Sequence, residues 1–344
     1  MRLVSLLPSA TEILVKLGLE KNLVGVSHEC DYPETVQSLP RLTSTRANPS
    51  LDSAGIHNSV LEVMKNAVSV YDLDVELLKS LKPDFIVTQD LCDVCAVSFS
   101  QVEEACRELL DCKIISLRPK KLGDVWSDVL RTAETLDVKQ KGYQFQEEVD
   151  ERVQAVRDRL VDWGNERPKV LTIEWVDPIY IGGMWLPEMI DIAGGQVCLA
   201  ESGQPAPIIS REDLEKIEPD VVVVKPCGYK LDQTLKELDL LKTQIPWQDW
   251  GARLSTRFYL VDGNSYFNRP GPRILDSLVF FYTLGLIAFL AGALTGFYLF
   301  LYRIFSGPVS ATSALFSVFL VLTGLQFLLF AMWFDMENNK HLKG

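Results

Sequence analysis

Two apolar runs near the C-terminus constrain this chain most: Ser277 to Tyr302 is 26 residues without a charge, and Ala314 to Phe334 is a further 21. About 20 apolar residues span a hydrocarbon core of roughly 30 Å as a helix, so each run is long enough to cross a bilayer. The sequence therefore predicts a two-helix transmembrane anchor over residues 277–344, with spans at about 278–302 and 314–334. Gly285, Gly292 and Gly296 would let the two helices approach closely. Met1 to Asp276 instead mixes apolar and charged residues at the periods of a water-soluble α/β protein.

Charge and cysteine usage narrow the function classes. Beyond residue 276 only Arg303, Lys340 and Lys343 stand against Asp335 and Glu337, so of the chain's formal net charge of −12 the first 276 residues carry −13. That excludes the basic surface needed to bind phosphate backbones, and no nucleic-acid partner is expected. Seven cysteines form an odd set, which fits a reducing compartment. Met1-Arg2 runs straight into Leu3-Val4-Ser5 with no long apolar stretch of a secretory signal. Arg269, Arg273, Lys340 and Lys343 flank the outer ends of the apolar runs against Arg303 in their turn, which by the positive-inside bias puts both termini in the cytoplasm. The expected localisation is a multi-pass membrane protein with its soluble domain on the cytoplasmic side.

Within the soluble part, Arg2–Leu7, Leu23–Val26, Phe85–Thr88 and Lys113–Leu117 read as buried strands, and Lys169–Ile173, Val221–Val224 and Phe258–Val261 as a second set. Ser9-Ala10-Thr11-Glu12 has the spacing of a capping box, predicting a helix with Ser9 as N-cap. From Leu122 to about Trp163 there is no proline and apolar residues recur near helical spacing, which predicts one long helix or two in tandem. An internal repeat frames that stretch. Glu76 to Val87 matches Glu212 to Val223 at a constant offset of 136 residues, each copy a short helix, a Pro-Asp turn and an apolar strand. The expected domains are an N-terminal α/β lobe (1–118), an interlobe helix (119–166), a C-terminal α/β lobe (167–276) and the anchor.

Four stretches carry a family resemblance: residues 3–12 (LVSLLPSATE), 24–33 (VGVSHECDYP), the Leu-Lys-Pro-Asp turn at 81–84, and 266–273 (YFNRPGPR). In combination they resemble the helical-backbone substrate-binding proteins of cobalamin and iron-siderophore ABC importers, most closely the cobalamin-binding branch. The resemblance implies two α/β lobes joined by a rigid helix, no catalysis, and a corrinoid ligand such as cobalamin held in the cleft. Ligands of open α/β sheets sit beyond the carboxyl ends of the strands. On that basis the ligand-binding candidates are Pro8, Ser9, Glu29, Tyr32, Gln89, Trp175, Tyr180, Trp185, Tyr266, Phe267 and Arg269, the aromatic members offering faces to a flat macrocycle. Family members cradle the corrinoid with tryptophans where this chain places Gln89 and Ala206, and the stretch between Leu42 and Asp74 resembles an insertion. Trp175 and Trp185 are the candidate replacements. Glu76 and Glu212, one per repeat, match the acidic residues with which related proteins dock onto an ABC permease.

Other readings stay open. An iron-siderophore or haem ligand suits the same fold. The tail, in Ser310 to Leu315 and Thr323 to Phe330, is similar to the C-terminal hairpin of polyprenyl-phosphate glycosyltransferases, which leaves a membrane-bound enzyme as an alternative. Loss of the ligand, leaving an interaction protein, is a third. His28, Cys30, Cys92 and Cys95 are of metal-ligating types, but one Cys-x-x-Cys without a second such pair falls short of a site, and no metal is expected. No Gly-rich phosphate loop, Gly-x-Ser-x-Gly elbow or His-Glu-x-x-His helix is present.

Overall fold

The computed structural model describes residues 1–66, 69–91, 96–109, 112–160, 167–254, 256–277, 298–299 and 302. Met1–Leu275 form one compact unit; the second begins at Asp276. Most of that second unit, including nearly all of the first expected transmembrane span and all of the second, lies outside the described residues. Among the described residues no helix is long and apolar enough to cross a membrane.

The chain first lays down β1 (Leu3–Ser5), α1 (Pro8–Lys16), β2 (Leu23–Val26), β3 (Thr43–Thr45), α2 (Ser53–Asn66) and β4 (Tyr71–Leu73). It continues through α3 (Val75–Leu81), β5 (Phe85–Gln89), α4 (Phe99–Arg107) and β6 (Lys113–Leu117). Strands β2-β1-β5-β6 make a parallel sheet, while β3 and β4 pair antiparallel to each other. Val4, Leu6, Leu78, Ile86 and Val102 fill a core against this sheet. The near-continuous apolar runs of β1 and β5 suit strands covered on both faces.

Two helices follow, α5 (Leu122–Thr135) and α6 (Lys139–Leu160). They are the pair that the proline-free stretch predicts, and they fold back on each other instead of running in line. Asp137 turns the chain with a positive φ of 59°. Trp126 meets Phe145 edge-on at 5.7 Å. Gly142 packs so closely that a Cβ there would lie 2.8 Å from that of Ala133.

The second half comprises β7 (Lys169–Trp175), β8 (Tyr180–Ile181), α7 (Leu186–Ile192), β9 (Gln196–Val197), α8 (Arg211–Leu214) and β10 (Val221–Val224). Then come α9 (Leu231–Lys236), α10 (Leu238–Gln244), α11 (Trp247–Arg253), β11 (Arg257–Leu260) and α12 (Gly263–Tyr266). Its five-stranded sheet runs β11-β10-β7-β8, with β9 also on β7. Only β8 is antiparallel. Leu171, Ile173, Val222, Val224 and Trp250 build a separate core. Two sheets with two cores make the α/β fold bilobal.

The repeat is structural down to single hydrogen bonds. Asp84 and Asp220, the aspartates of the two Pro-Asp turns, accept from the backbone N–H of Arg2 and Lys169 at 2.6 and 2.7 Å. Their own N–H groups donate to the carbonyls of those same residues at 2.9 Å. Each turn thus clamps the start of the neighbouring parallel strand, and Asp74 and Ser210 cap the short helices before them.

The capping box expected at Ser9 is corrected. Helix α1 begins two residues earlier, at Pro8, whose fixed φ and missing N–H suit the first turn, and Leu7 occupies the N-cap with no side-chain bond. Ser9 Oγ is buried without a partner among the described residues. Glu12 is engaged elsewhere, by the arginines at the far end of the chain.

Candidate functional site

The carboxyl ends of both sheets meet along a seam, and most of the expected ligand residues fall on it in two groups. The first is an ionic latch. The loop after β2 carries Glu29, Asp31 and Tyr32, and the segment after α12 carries Phe267, Asn268, Arg269 and Arg273. Arg269, 7% exposed, donates to Asp31 Oδ1 at 2.5 Å, to Glu12 Oε1 at 3.5 Å and to the carbonyl of Glu29 at 3.3 Å. Arg273 donates to Glu12 Oε1 at 2.5 Å, and its guanidinium lies 4.2 Å from the ring centroid of Tyr32 and 5.9 Å from that of Tyr266. Tyr32 and Tyr266 are both largely exposed, so the latch ends in two aromatic faces at the rim.

The latch segment is held from its own lobe. Lys225, fully buried at the end of β10, donates to Glu174 Oε2 at 2.9 Å and to Asn268 Oδ1 at 2.5 Å. The amide of Asn268 returns a bond to the Lys225 carbonyl at 3.0 Å. Trp185 donates its indole N–H to the carbonyl of Phe267 at 2.9 Å and is itself buried. Gly263 permits the approach, since a Cβ there would lie 2.5 Å from the carbonyl oxygens of Lys225 and Pro226.

The second group is aromatic. Trp175 and Tyr180 pair across β7 and β8, and Trp175 packs on Tyr229 at 5.2 Å between centroids. Tyr180 faces His57 at 6.0 Å. Trp175 also donates its indole N–H to the carbonyl of Ser53, at the start of α2, at 3.1 Å. The stretch between β3 and β4 therefore reaches across the seam.

Pro8 borders a cavity of about 10 Å³ with Leu6, Ser27, Thr43 and Tyr71, room for about one water molecule. Gln89, buried at the end of β5, lies in the first sheet opposite Leu117 of β6. His28 and Cys30 diverge. The ring of His28 bonds Thr43 at 2.7 Å and lies 3.3 Å from Glu29, whereas the Cys30 thiol points to Thr11 at 3.1 Å. Cys92 and Cys95 lie outside the described residues, and no cluster of three metal-ligating side chains occurs among the described ones. Glu76 and Glu212 both stand in first turns of exposed helices, Glu76 paired only with Lys79 at 3.0 Å, three residues on, with its side chain 86% exposed.

Local sequence signals did not reveal Glu12, Asp31, Arg273 or Lys225 as parts of the site. Burial alone raises Asp31, but the hydrogen bond from Arg269 and the charges of Arg269, Lys230 and Arg273 outweigh it, so its carboxyl titrates below the usual 3.8. The His28 ring, 3.3 Å away, is the main cause that holds Glu29 below its usual value, against desolvation. Both folded pKa values are depressed, so their contribution to stability is complete above the unfolded values and is lost as pH falls through the folded ones. Acid should therefore loosen the latch below about pH 4, and Asp31→Asn should flatten the fall of the thermal midpoint between about pH 4 and pH 2. A parallel acid limb in wild type and variant would remove Asp31 from the latch.

A family model described as periplasmic binding protein matches residues 3–262. The chain belongs to the periplasmic binding protein family. It is a family of binding proteins, not of enzymes. The vitamin B12-binding protein of Yersinia pestis (strain Pestoides F) is 24% identical over 279 residues, covering 80% of this chain and 82% of the relative. Among solved structures, the periplasmic heme-binding protein RhuT from Roseiflexus sp. RS-1 aligns with a TM-score of 0.60 at 22% identity, over 80% of this chain and 94% of that one. The periplasmic vitamin B12 binding protein BtuF of Vibrio cholerae aligns at 0.55 and 22%, over 81% and 93%. At these identities the structural likeness speaks for the fold.

The family corrects the expected localisation. A multi-pass membrane protein with a cytoplasmic soluble domain is overturned, because the fold and the relatives are those of periplasmic binding proteins. The odd cysteine count does not decide the compartment: Cys30 is free and buried, desolvation pushing its thiol up to about 11, which makes it an inert core thiol. The tail's likeness to glycosyltransferase hairpins falls beyond residue 262 and gains no support from the match.

Proposed function

We propose that this chain binds a large flat chelate, a corrinoid such as cobalamin, in the seam between lobes of residues 1–118 and 167–276, and hands it to an ABC permease. The observation that carries the reading is the pair of aromatic groups in a bilobal binding fold, Tyr32 and Tyr266 around Arg273 and Trp175, Tyr180 and Tyr229 around the end of β7. Aromatic faces give a rigid macrocycle large contact area at little conformational cost. The relatives that bind vitamin B12 or heme support a tetrapyrrole-like ligand class. Pro8, Ser9, Glu29, Gln89, Phe267 and Arg269 contribute positioning or rim contacts in this reading, and Trp185 braces Phe267. Glu76 and Glu212 form the pair of exposed carboxylates that meets the permease.

The direct test is the absorption spectrum of the purified full-length chain after incubation with cyanocobalamin or haemin and removal of free ligand. A retained corrinoid spectrum is expected, whereas retention of haemin alone would reassign the ligand and retention of neither would end the proposal. Trp175→Ala should weaken the retained ligand by about 1–3 kcal/mol, the cost of losing an aromatic anchor. Cys106→Ala, in the core of the first lobe, should lower stability and leave affinity unchanged within twofold or so. Calorimetry that finds both variants equal to wild type in affinity would exclude Trp175 from the site.

A further inference from the structure

Resting on the binding reading above, we infer that the stretch around α2 is a strap that occupies the ligand seam in the empty protein and must leave Trp175 and Glu237 for the chelate to enter. Ser53, the first residue of α2, is 1% exposed although it lies on the connection between two short strands. Every polar group it has is engaged by the other lobe. Its N–H donates to Glu237 Oε1 at 3.1 Å and its Oγ to Oε2 at 2.7 Å, while its carbonyl accepts the indole N–H of Trp175 at 3.1 Å. Glu237 is itself 8% exposed. A carboxylate at the start of a 14-residue helix is in the favourable place for its charge, so this contact is stronger than a neutral one.

The strap covers the aromatic surface the ligand needs. Ser53 sits against Trp175, and His57, one turn further along α2, lies 6.0 Å from Tyr180. A flat chelate cannot stack on Trp175 and Tyr180 while these residues stay in place. Strap and ligand therefore compete for one surface, and the closed strap lowers apparent affinity by the fraction of molecules that are open. Glu237 and Ser53 thereby set affinity without touching the ligand.

The test compares wild type with Glu237→Gln, which keeps shape and removes the charge, and with Ser53→Ala, which removes one donor. Amide hydrogen exchange of residues 54–57 in the ligand-free full chain should be faster in both variants. Apparent affinity for cyanocobalamin, or for haemin if that is what binds, should tighten by about three- to tenfold in Glu237→Gln, because a charged hydrogen bond no longer holds the strap shut. Exchange at 54–57 unchanged in both variants overturns the strap, and so does weaker or equal binding by a variant whose thermal midpoint matches wild type. If neither chelate binds any of the three proteins, the proposed function fails, and faster exchange in the variants would still uphold the interlobe strap.

Discussion

Arg269→Ala is expected to destabilise the first unit by about 3–5 kcal/mol, the range for removing one partner of a buried ion pair. The side chain is held by Asp31, Glu12 and the Glu29 carbonyl, and little of it meets water. Without it Glu12, almost wholly buried, keeps only Arg273 at 2.5 Å. A carboxylate left in low dielectric with half its partners is the larger part of the cost. Glu12→Gln combined with Arg269→Gln should cost less than the sum of the single changes, since the double variant leaves no unpaired charge between them. Glu76→Ala serves as the contrast, because an exposed pair contributes about 1 kcal/mol or less. Urea unfolding with unchanged slope reads all five. A loss near 1 kcal/mol for Arg269→Ala would mean that the latch opens freely in solution.

The legibility of this chain followed the range of its interactions. Strands β2, β6 and β10 were readable to the residue because runs such as Val221–Val224 are apolar and β-branched with turns on both sides. The repeat was readable because each copy is a local unit of helix, turn and strand. What it could not show is that the two aspartates clamp Arg2 and Lys169, which lie 82 and 51 residues away. Glu12 illustrates the failure most clearly. Its spacing from Ser9 satisfies a local rule, yet its partners stand 257 and 261 residues further on, and the tertiary charges decide its role. The aromatic residues of the seam were found as types, but not their division of labour. Trp175 faces the strap, whereas Trp185 turns its indole N–H to the backbone of Phe267. The contact between Ser53 and Glu237, 184 residues apart, leaves no local trace. The two apolar runs were the most conspicuous feature of the sequence, and nearly all of their length lies outside the described residues.

Lys225→Met should cost about 3 kcal/mol, the lower end for a broken buried pair, since its partner Glu174 keeps some contact with water. Lysine is almost never fully buried without a partner, and this one joins three parts of the second lobe: β7 through Glu174, β10 through its own backbone, and the latch segment through Asn268. Methionine retains most of the packing volume, so the loss reports the charge and its two hydrogen bonds, not a cavity. Asn268 immediately precedes Arg269, so the substitution should also loosen the latch from the opposite side. The two effects then share a structure. Lys225→Met added to Arg269→Ala should cost at least 1 kcal/mol less than the separate losses together, because a latch already broken has no position left to lose. Additive losses in urea unfolding would show that Lys225 stabilises only its own lobe and that Asn268 does not carry its influence to Arg269.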